Sequence, residues 1–273
     1  MRLPACPATT IILPKKGERM VPVHALRRLI TLMLFLTVGS IWIGGCGNSG
    51  ADTPDSPSQT ITVSAASSLT DVFTGLAKKY ENQNPGVKVD LNFGSSGDLE
   101  KQIVAGAPVD VFAAASNKDT DDLSQKGMLI KDTLIKPVGN DLVLVAPVNS
   151  SIAISSINDL TQGSVKKVAV GNPATVPAGR YAQDALTYYK IWDGLQGILV
   201  FGENVRQVLD YVARGEVEAG FVYGSDAQAR SGDVKVILVA PPESHQPVVY
   251  PMAVLAGSQN ESLSRQFLDF ITS

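Results

Sequence analysis

From Thr60 onward this 273-residue chain alternates short apolar runs with segments of helical periodicity, and nothing else in it restricts the fold so tightly. Short runs rich in Val, Ile and Leu read as strands, and the helices between them must cover a mostly parallel sheet, which is α/β architecture. Strands are predicted at 61–63, 87–93, 109–113, 141–146, 167–170, 198–201, 219–223, 234–239 and 248–255. Helices are predicted at 69–82, 97–105, 118–126, 178–189, 205–214 and 262–271. In the first helix Leu69, Val72, Phe73, Leu76 and Tyr80 recur three or four residues apart, so they are expected to share one face packed on the sheet.

Two turn-rich stretches interrupt this order, Pro137-Val138-Gly139-Asn140-Asp141 and Pro241-Pro242-Glu243-Ser244. Read as chain crossings, they give a two-lobed protein. Residues 60–139 and 241–273 form one lobe and residues 140–240 the other.

The segment ahead of this pattern is of another kind. His24-Ala25-Leu26-Arg27-Arg28 is a basic flank to residues 29–45, which are apolar apart from small and hydroxyl residues. That is the layout of an export signal. The stretch before it, with Pro4, Pro7, Pro14, Lys15 and Lys16, is long for such a flank, so Met20 is the preferred start. Ile43-Gly44-Gly45-Cys46 resembles a bacterial lipobox, in which the cysteine is lipidated and becomes residue one. Residues 1–45 then read as a lipoprotein signal peptide, and the exported protein as tied to a membrane, on its periplasmic or cell-surface side, by lipid on Cys46. An uncleaved anchor is the alternative, because about 17 apolar residues is the lower limit of a bilayer span. Residues 46–59, rich in Gly, Ser, Pro and Asp, read as a flexible tether.

Removing residues 1–45 takes away six of the 23 basic side chains and one of the 26 acidic ones, leaving 17 against 25, about −8. An acidic protein of this kind does not bind nucleic acid, which is held through clustered Lys and Arg. An anionic ligand must likewise be attracted by local dipoles and not by net charge. Cys6 is lost with the signal and Cys46 is occupied by lipid, so no disulfide or thiol chemistry remains. One histidine, His245, is left, and it reads as an exposed loop residue. Metal-ligand spacing is missing too, and Asp121-Asp122 reads as a solvated helix face.

Four strand-to-helix junctions carry small polar or bare-backbone residues: Ala65-Ala66-Ser67-Ser68, Gly94-Ser95-Ser96-Gly97, Pro173 through Gly179, and Gly202-Glu203-Asn204-Val205. A serine before a helix is ordinarily a cap. Four such junctions at the carboxyl ends of strands, each followed by a helix with unpaired N–H groups, instead suggest an anion site.

The junctions also carry a resemblance. Residues 61–70, Ile-Thr-Val-Ser-Ala-Ala-Ser-Ser-Leu-Thr, resemble the first strand and helix start of the molybdate-binding proteins of molybdate ABC transporters. Phe93 through Gly97, Ala105 through Phe112, Val170 through Pro173, Val176 through Ala182 and Val222 through Ala227 resemble further segments of that family, in its order. The resemblance spans 60–273 and implies a type II periplasmic-binding-protein fold, each lobe a mixed, mainly parallel sheet flanked by helices. It implies a non-enzymatic binding protein that closes over molybdate, with tungstate as a near equivalent, and presents it to a membrane permease. No cofactor is implied, and a monomer is expected. The oxyanion would be held by the Ser68 and Ser96 hydroxyls, the backbone N–H groups of Ala178 and Val205, and the Tyr223 phenol, with no direct protein ligand to the metal. Without the resemblance, Tyr223 reads as a core tyrosine and Val205 as a buried first-turn residue. Arg180, close behind Ala178, is expected outside the ligand shell.

Neutral donors suit a fully deprotonated dianion, since each charged hydrogen bond contributes about 1.5–3 kcal/mol. Phosphate would bring protons to a site of donors. Sulfate, or another tetrahedral oxyanion, is the nearest alternative ligand. A porphobilinogen-polymerising transferase of related fold would need a cofactor cysteine, a serine hydrolase a base near Ser68 or Ser96, and a ligand-sensing regulator a DNA-binding module. The chain stops at Phe270-Ile271-Thr272-Ser273, whereas members of the resembled family usually continue through a further short helix, so either this member is short or the sequence is incomplete. Its absence is expected to expose apolar surface without touching the five ligand positions.

Overall fold

The computed structural model describes residues 59–273; the segments read as an export signal, a lipidation motif at Cys46 and a tether up to Ser58 lie outside the described residues. Gln59, read as the end of the tether, is the first residue of a strand. The chain runs β1 (Gln59–Ala66), α1 (Thr70–Gln83), β2 (Val87–Gly94), α2 (Ser96–Val104), β3 (Val111–Ala113), α3 (Asn117–Gln125) and β4 (Gly139–Asn140). It continues through β5 (Leu142–Pro147), β6 (Val168–Gly171), α4 (Pro177–Tyr188), α5 (Trp192–Leu195), β7 (Leu199–Gly202), α6 (Val205–Ala213), β8 (Ala219–Tyr223), α7 (Gly224–Ala229) and β9 (Val234–Val239). β10 (Val248–Val249), β11 (Met252–Val254) and α8 (Glu261–Thr272) complete it.

Two mixed sheets organise two lobes. The first has the order β11-β3-β1-β2, with β1 parallel to both neighbours and β11 antiparallel to β3. The second has the order β7-β6-β8-β5-β9, parallel from β7 to β8 and antiparallel at β5 and β9. Between them β4 and β10 form a short antiparallel ribbon, Gly139 opposite Val249 and Asn140 opposite Val248. The chain therefore leaves the first sheet and returns to it through adjacent strands.

Each sheet is covered by helices whose apolar faces explain their placement. Phe73, Ala77 and Tyr80 of α1 are buried, and α8 packs over them through Phe267 and Phe270, with ring centroids 5.1 and 5.2 Å from Tyr80. Val72 departs from the expected face: it is 57% exposed, because the stripe follows Leu69, Phe73, Ala77 and Tyr80 and leaves position 72 turned to solvent. On the second sheet, Val208, Leu209 and Val212 of α6 and Ala182, Ala185 and Leu186 of α4 are buried.

The run 248–255, expected as one strand, is two. Tyr250 and Pro251 separate β10 from β11. Proline has no N–H to continue a ladder, and the chain changes partner there from β4 to β3. Among the described residues, no helix is long and apolar enough to cross a membrane.

Candidate functional site

Four strand-to-helix turns converge on one small cavity between the lobes. From the first lobe come the 3-10 turn Ser67–Leu69 that follows β1 and the start of α2; from the second come the starts of α4 and α6. The cavity is lined by Ser68, Ser96, Ala178, Val205 and Tyr223, with Ala115 and other small residues beside them, and no charged side chain lines it. Its volume is about 10 Å³, space for one small species and far below the usual range for organic ligands. The five residues expected from the sequence are thus brought together. Each is at most 5% exposed.

Local sequence explains how each donor is left available. Ser95 takes the capping role at α2: its Oγ accepts from the Asp98 N–H and donates to the Asp98 carboxylate. Ser96, one residue on, is thereby released from capping. Its Oγ accepts the Ala115 N–H at 3.0 Å, which fixes the hydroxyl and leaves its proton to donate. Ser68 Oγ is buried and has no hydrogen-bond partner.

In the second lobe Val176 precedes α4 without capping it, and Pro177 occupies the first helical position. Ala178 follows, where a helix has no internal acceptor for its N–H. At α6 the Asn204 side chain accepts from the Gln207 N–H, so Val205 opens the helix with its own N–H outside the ladder. A dianion at these termini is further favoured by the helix dipoles.

Tyr223 ends β8 and its hydroxyl is buried without a partner. Burial pushes its pKa well above the ordinary phenol value, so it stays a proton donor. Its ring meets Tyr250 edge-on at 5.9 Å. Burial pushes the Tyr250 phenol up to about 12, against the opposing pull of its hydrogen bond from Asn140. Asn140, in the ribbon, donates to both Tyr250 Oη and Ser225 Oγ.

The lobes are in contact around the cavity. The Gly97 N–H donates to the Thr175 carbonyl across the cleft at 2.9 Å. A Cβ on Gly97 would sit 2.7 Å from that oxygen, so only glycine allows the approach. Two arginines of the second lobe also cross. Arg180 pairs with Asp119 at 2.6 Å and donates to Ser116 Oγ at 2.9 Å. Arg206 pairs with Asp71 of α1 at 2.9 Å and with Asp226 of its own lobe at 2.7 Å. Neither arginine lines the cavity. Asp119 and Asp226 are buried, and burial raises both pKa values, Asp226 to about 6, with the paired arginine opposing the rise.

His245 differs from expectation. It is half-buried because the turn Pro242–Ser244 packs on α4, which sets the imidazole 5.7 Å from the Tyr181 ring. Nδ1 lies 2.7 Å from the Gln246 carbonyl. It lies outside the cavity lining. Among the described residues no group of His, Cys, Asp and Glu is placed to hold a metal ion.

Ala115, the Gly97–Thr175 contact and the partners of the two arginines were not singled out from the sequence. Arg206 had one visible sign, its place directly behind Val205 in a helix start. Its partner Asp71 is 135 residues away.

Comparison with known proteins follows the same line. A family model described as bacterial extracellular solute-binding protein matches residues 61–273. The molybdate-binding protein ModA of Haemophilus influenzae is 42% identical over 240 residues, covering 86% of this chain and 91% of that protein. ModA of Escherichia coli strain K12 is 40% identical over 215 residues, 77% of this chain and 82% of that protein. Among solved structures, the Azotobacter vinelandii periplasmic molybdate-binding protein matches with a TM-score of 0.70, covering 78% of this chain and 93% of that one; at 24% identity it speaks to the fold.

Proposed function

We propose that this chain, which belongs to the family of bacterial extracellular solute-binding proteins, captures molybdate between its lobes and delivers it to the permease of an ABC transporter. The family is one of binding proteins and not of enzymes, and molybdate is a transported ligand in it and not a cofactor. The observation that carries the reading is a pair of buried hydroxyls, Ser68 Oγ and Tyr223 Oη, left without partners and lining one small uncharged cavity. Buried donors without acceptors are costly, and an oxyanion supplies the acceptors.

Ser68 and Ser96 donate from the first lobe, and Ala178 N–H, Val205 N–H and the Tyr223 phenol from the second. The ion binds first to the two serines, and the second lobe then closes over it. The lobe built on the first sheet moves against the lobe built on the second, turning about the β4–β10 ribbon. No carboxylate lines the cavity to take a proton from phosphate, which favours a proton-free dianion. Tungstate, of nearly the same size and charge, fits the same donors. The protein acts outside the cytoplasm as a monomer, held to the membrane by lipid on Cys46 and spaced from it by the residues that follow.

Isothermal titration of the protein lacking residues 1–45 tests this. One molybdate per chain, bound far more tightly than sulfate, is the expected result; equal affinity for sulfate, or no binding by folded protein, overturns it. Anchoring has its own test: Cys46→Ser abolishes lipid labelling, and labelling that persists refutes the anchor.

A further inference from the structure

Each backbone donor of the second lobe is followed closely by an arginine. Arg180 lies two residues behind Ala178, and Arg206 one behind Val205. Each arginine reaches across the cleft to a first-lobe acid that stands close to that lobe's own donors. Asp71 is three residues past Ser68, and the Arg206 guanidinium also approaches the Ser68 carbonyl at 3.5 Å. Asp119 stands with Ser116, whose neighbour Ala115 is bonded to Ser96 Oγ.

The two crossings differ in setting. Asp71 is 62% exposed, whereas Asp119 is 1% exposed and shares its carboxylate between Ser116 and Arg180. Asp226 holds Arg206 from behind, from within its own lobe, so the guanidinium is aimed at the cleft before any closure. Both arginines are mostly buried, at 25% and 18% exposure, and neither lies in the cavity lining.

We propose that Arg206–Asp71 and Arg180–Asp119 are two ionic latches that hold the lobes shut and set the rate at which the ion is released. The arginines are positioning residues: they give the closed state an electrostatic hold while the ion itself meets only neutral groups. Full charge in direct contact with the ligand would bind any anion. Moved behind the donor amides, the same charge stabilises closure without choosing among ligands. This inference rests on the binding reading above, but its first test does not use the ligand.

The amide of Gly97, bonded to Thr175 across the cleft, reports lobe opening by hydrogen exchange in the ligand-free full chain. Asp71→Asn is expected to speed its exchange about two- to fivefold, the range of a partly exposed ion pair. Asp119→Asn, which keeps the side-chain shape, is expected to speed it about tenfold, as for a buried charged hydrogen bond. Amides within the sheets, such as those of Val63 and Val168, keep their wild-type exchange, which separates opening from unfolding. Added salt speeds Gly97 exchange in the wild type and has a smaller effect in the double variant, because the pairs are screened. Unchanged Gly97 exchange in both variants, or the same salt dependence in the double variant as in the wild type, overturns the latches. If sheet amides accelerate together with Gly97, the acids are structural and the proposal also fails. In a second arm, molybdate release from the double variant is faster by the same factor as Gly97 opening. Failure of the wild type to bind molybdate would refute the function reading and leave the exchange result to decide the latches.

Discussion

The two lobes line the same cavity by different chemical means. In the proposed ligand shell, the first lobe gives side-chain hydroxyls, Ser68 and Ser96, and the second gives two backbone amides, at Ala178 and Val205, and one phenol; all five residues line the cavity. Charge is divided as well: acids of the first lobe, Asp71 and Asp119, face arginines of the second. A hydroxyl donor depends on residue identity, whereas an amide donor depends on where the helix begins. Of the five proposed donors, three are therefore written in side chains and two in backbone.

Substitution can break this comparison. Replacing both Ser68 and Ser96 with Ala removes two charged hydrogen bonds, so molybdate affinity in a titration falls at least about a hundredfold. Ser96→Ala alone falls about tenfold or more, and also strands the buried Ala115 N–H, which lowers unfolding stability by about 1–3 kcal/mol. Tyr223→Phe sharpens the contrast: affinity drops about tenfold, yet thermal denaturation of the ligand-free protein shows no loss, because the missing hydroxyl had no partner. Smallest is Val205→Ala, which keeps the amide; its affinity stays within about threefold while the lost methyl groups cost about 1–2 kcal/mol of stability.

The charge side of the comparison has a pH signature. Asp226 has its folded pKa raised from 3.8 to about 6, so its most favourable contribution is present below 3.8 and is lost as pH rises through about 6. Asp119 shifts in the same direction. Denaturant unfolding is expected to show this contribution declining between pH 4 and 7, by on the order of 3 kcal/mol. Asp226→Asn flattens that segment of the curve; a curve of unchanged shape refutes the assignment.

What the sequence disclosed follows from the same division. Strands and helices were legible because their apolar spacing is local, and boundaries moved by only a residue or two where caps decide, as at Ser95 and Asn204. The serine-bearing junctions were visible, but only the resemblance picked Ser68 and Ser96 out of their pairs. Ala178 and Val205 have no distinguishing side chain, and only their place in motifs resembling a family marked them. Val72 was misplaced because a three-or-four spacing admits two neighbouring stripes, and the packing of α8 selects between them. The break at Tyr250 and Pro251 was hidden by the apolar residues on both sides of it. Nothing local pairs Arg206 with Asp71 or Gly97 with Thr175, since those contacts exist only when the two sheets meet.

The β4–β10 ribbon has one more consequence. Two bodies joined by two neighbouring strands keep a single easy rotation, and Asn140 ties that axis by hydrogen bonds to Tyr250 and Ser225, beside the cavity. If capture proceeds by the proposed closure, such a joint confines it to motion along one coordinate, without a search through many arrangements. If the lobes close as proposed, a receptor that reads their outer faces meets two arrangements and not a continuum.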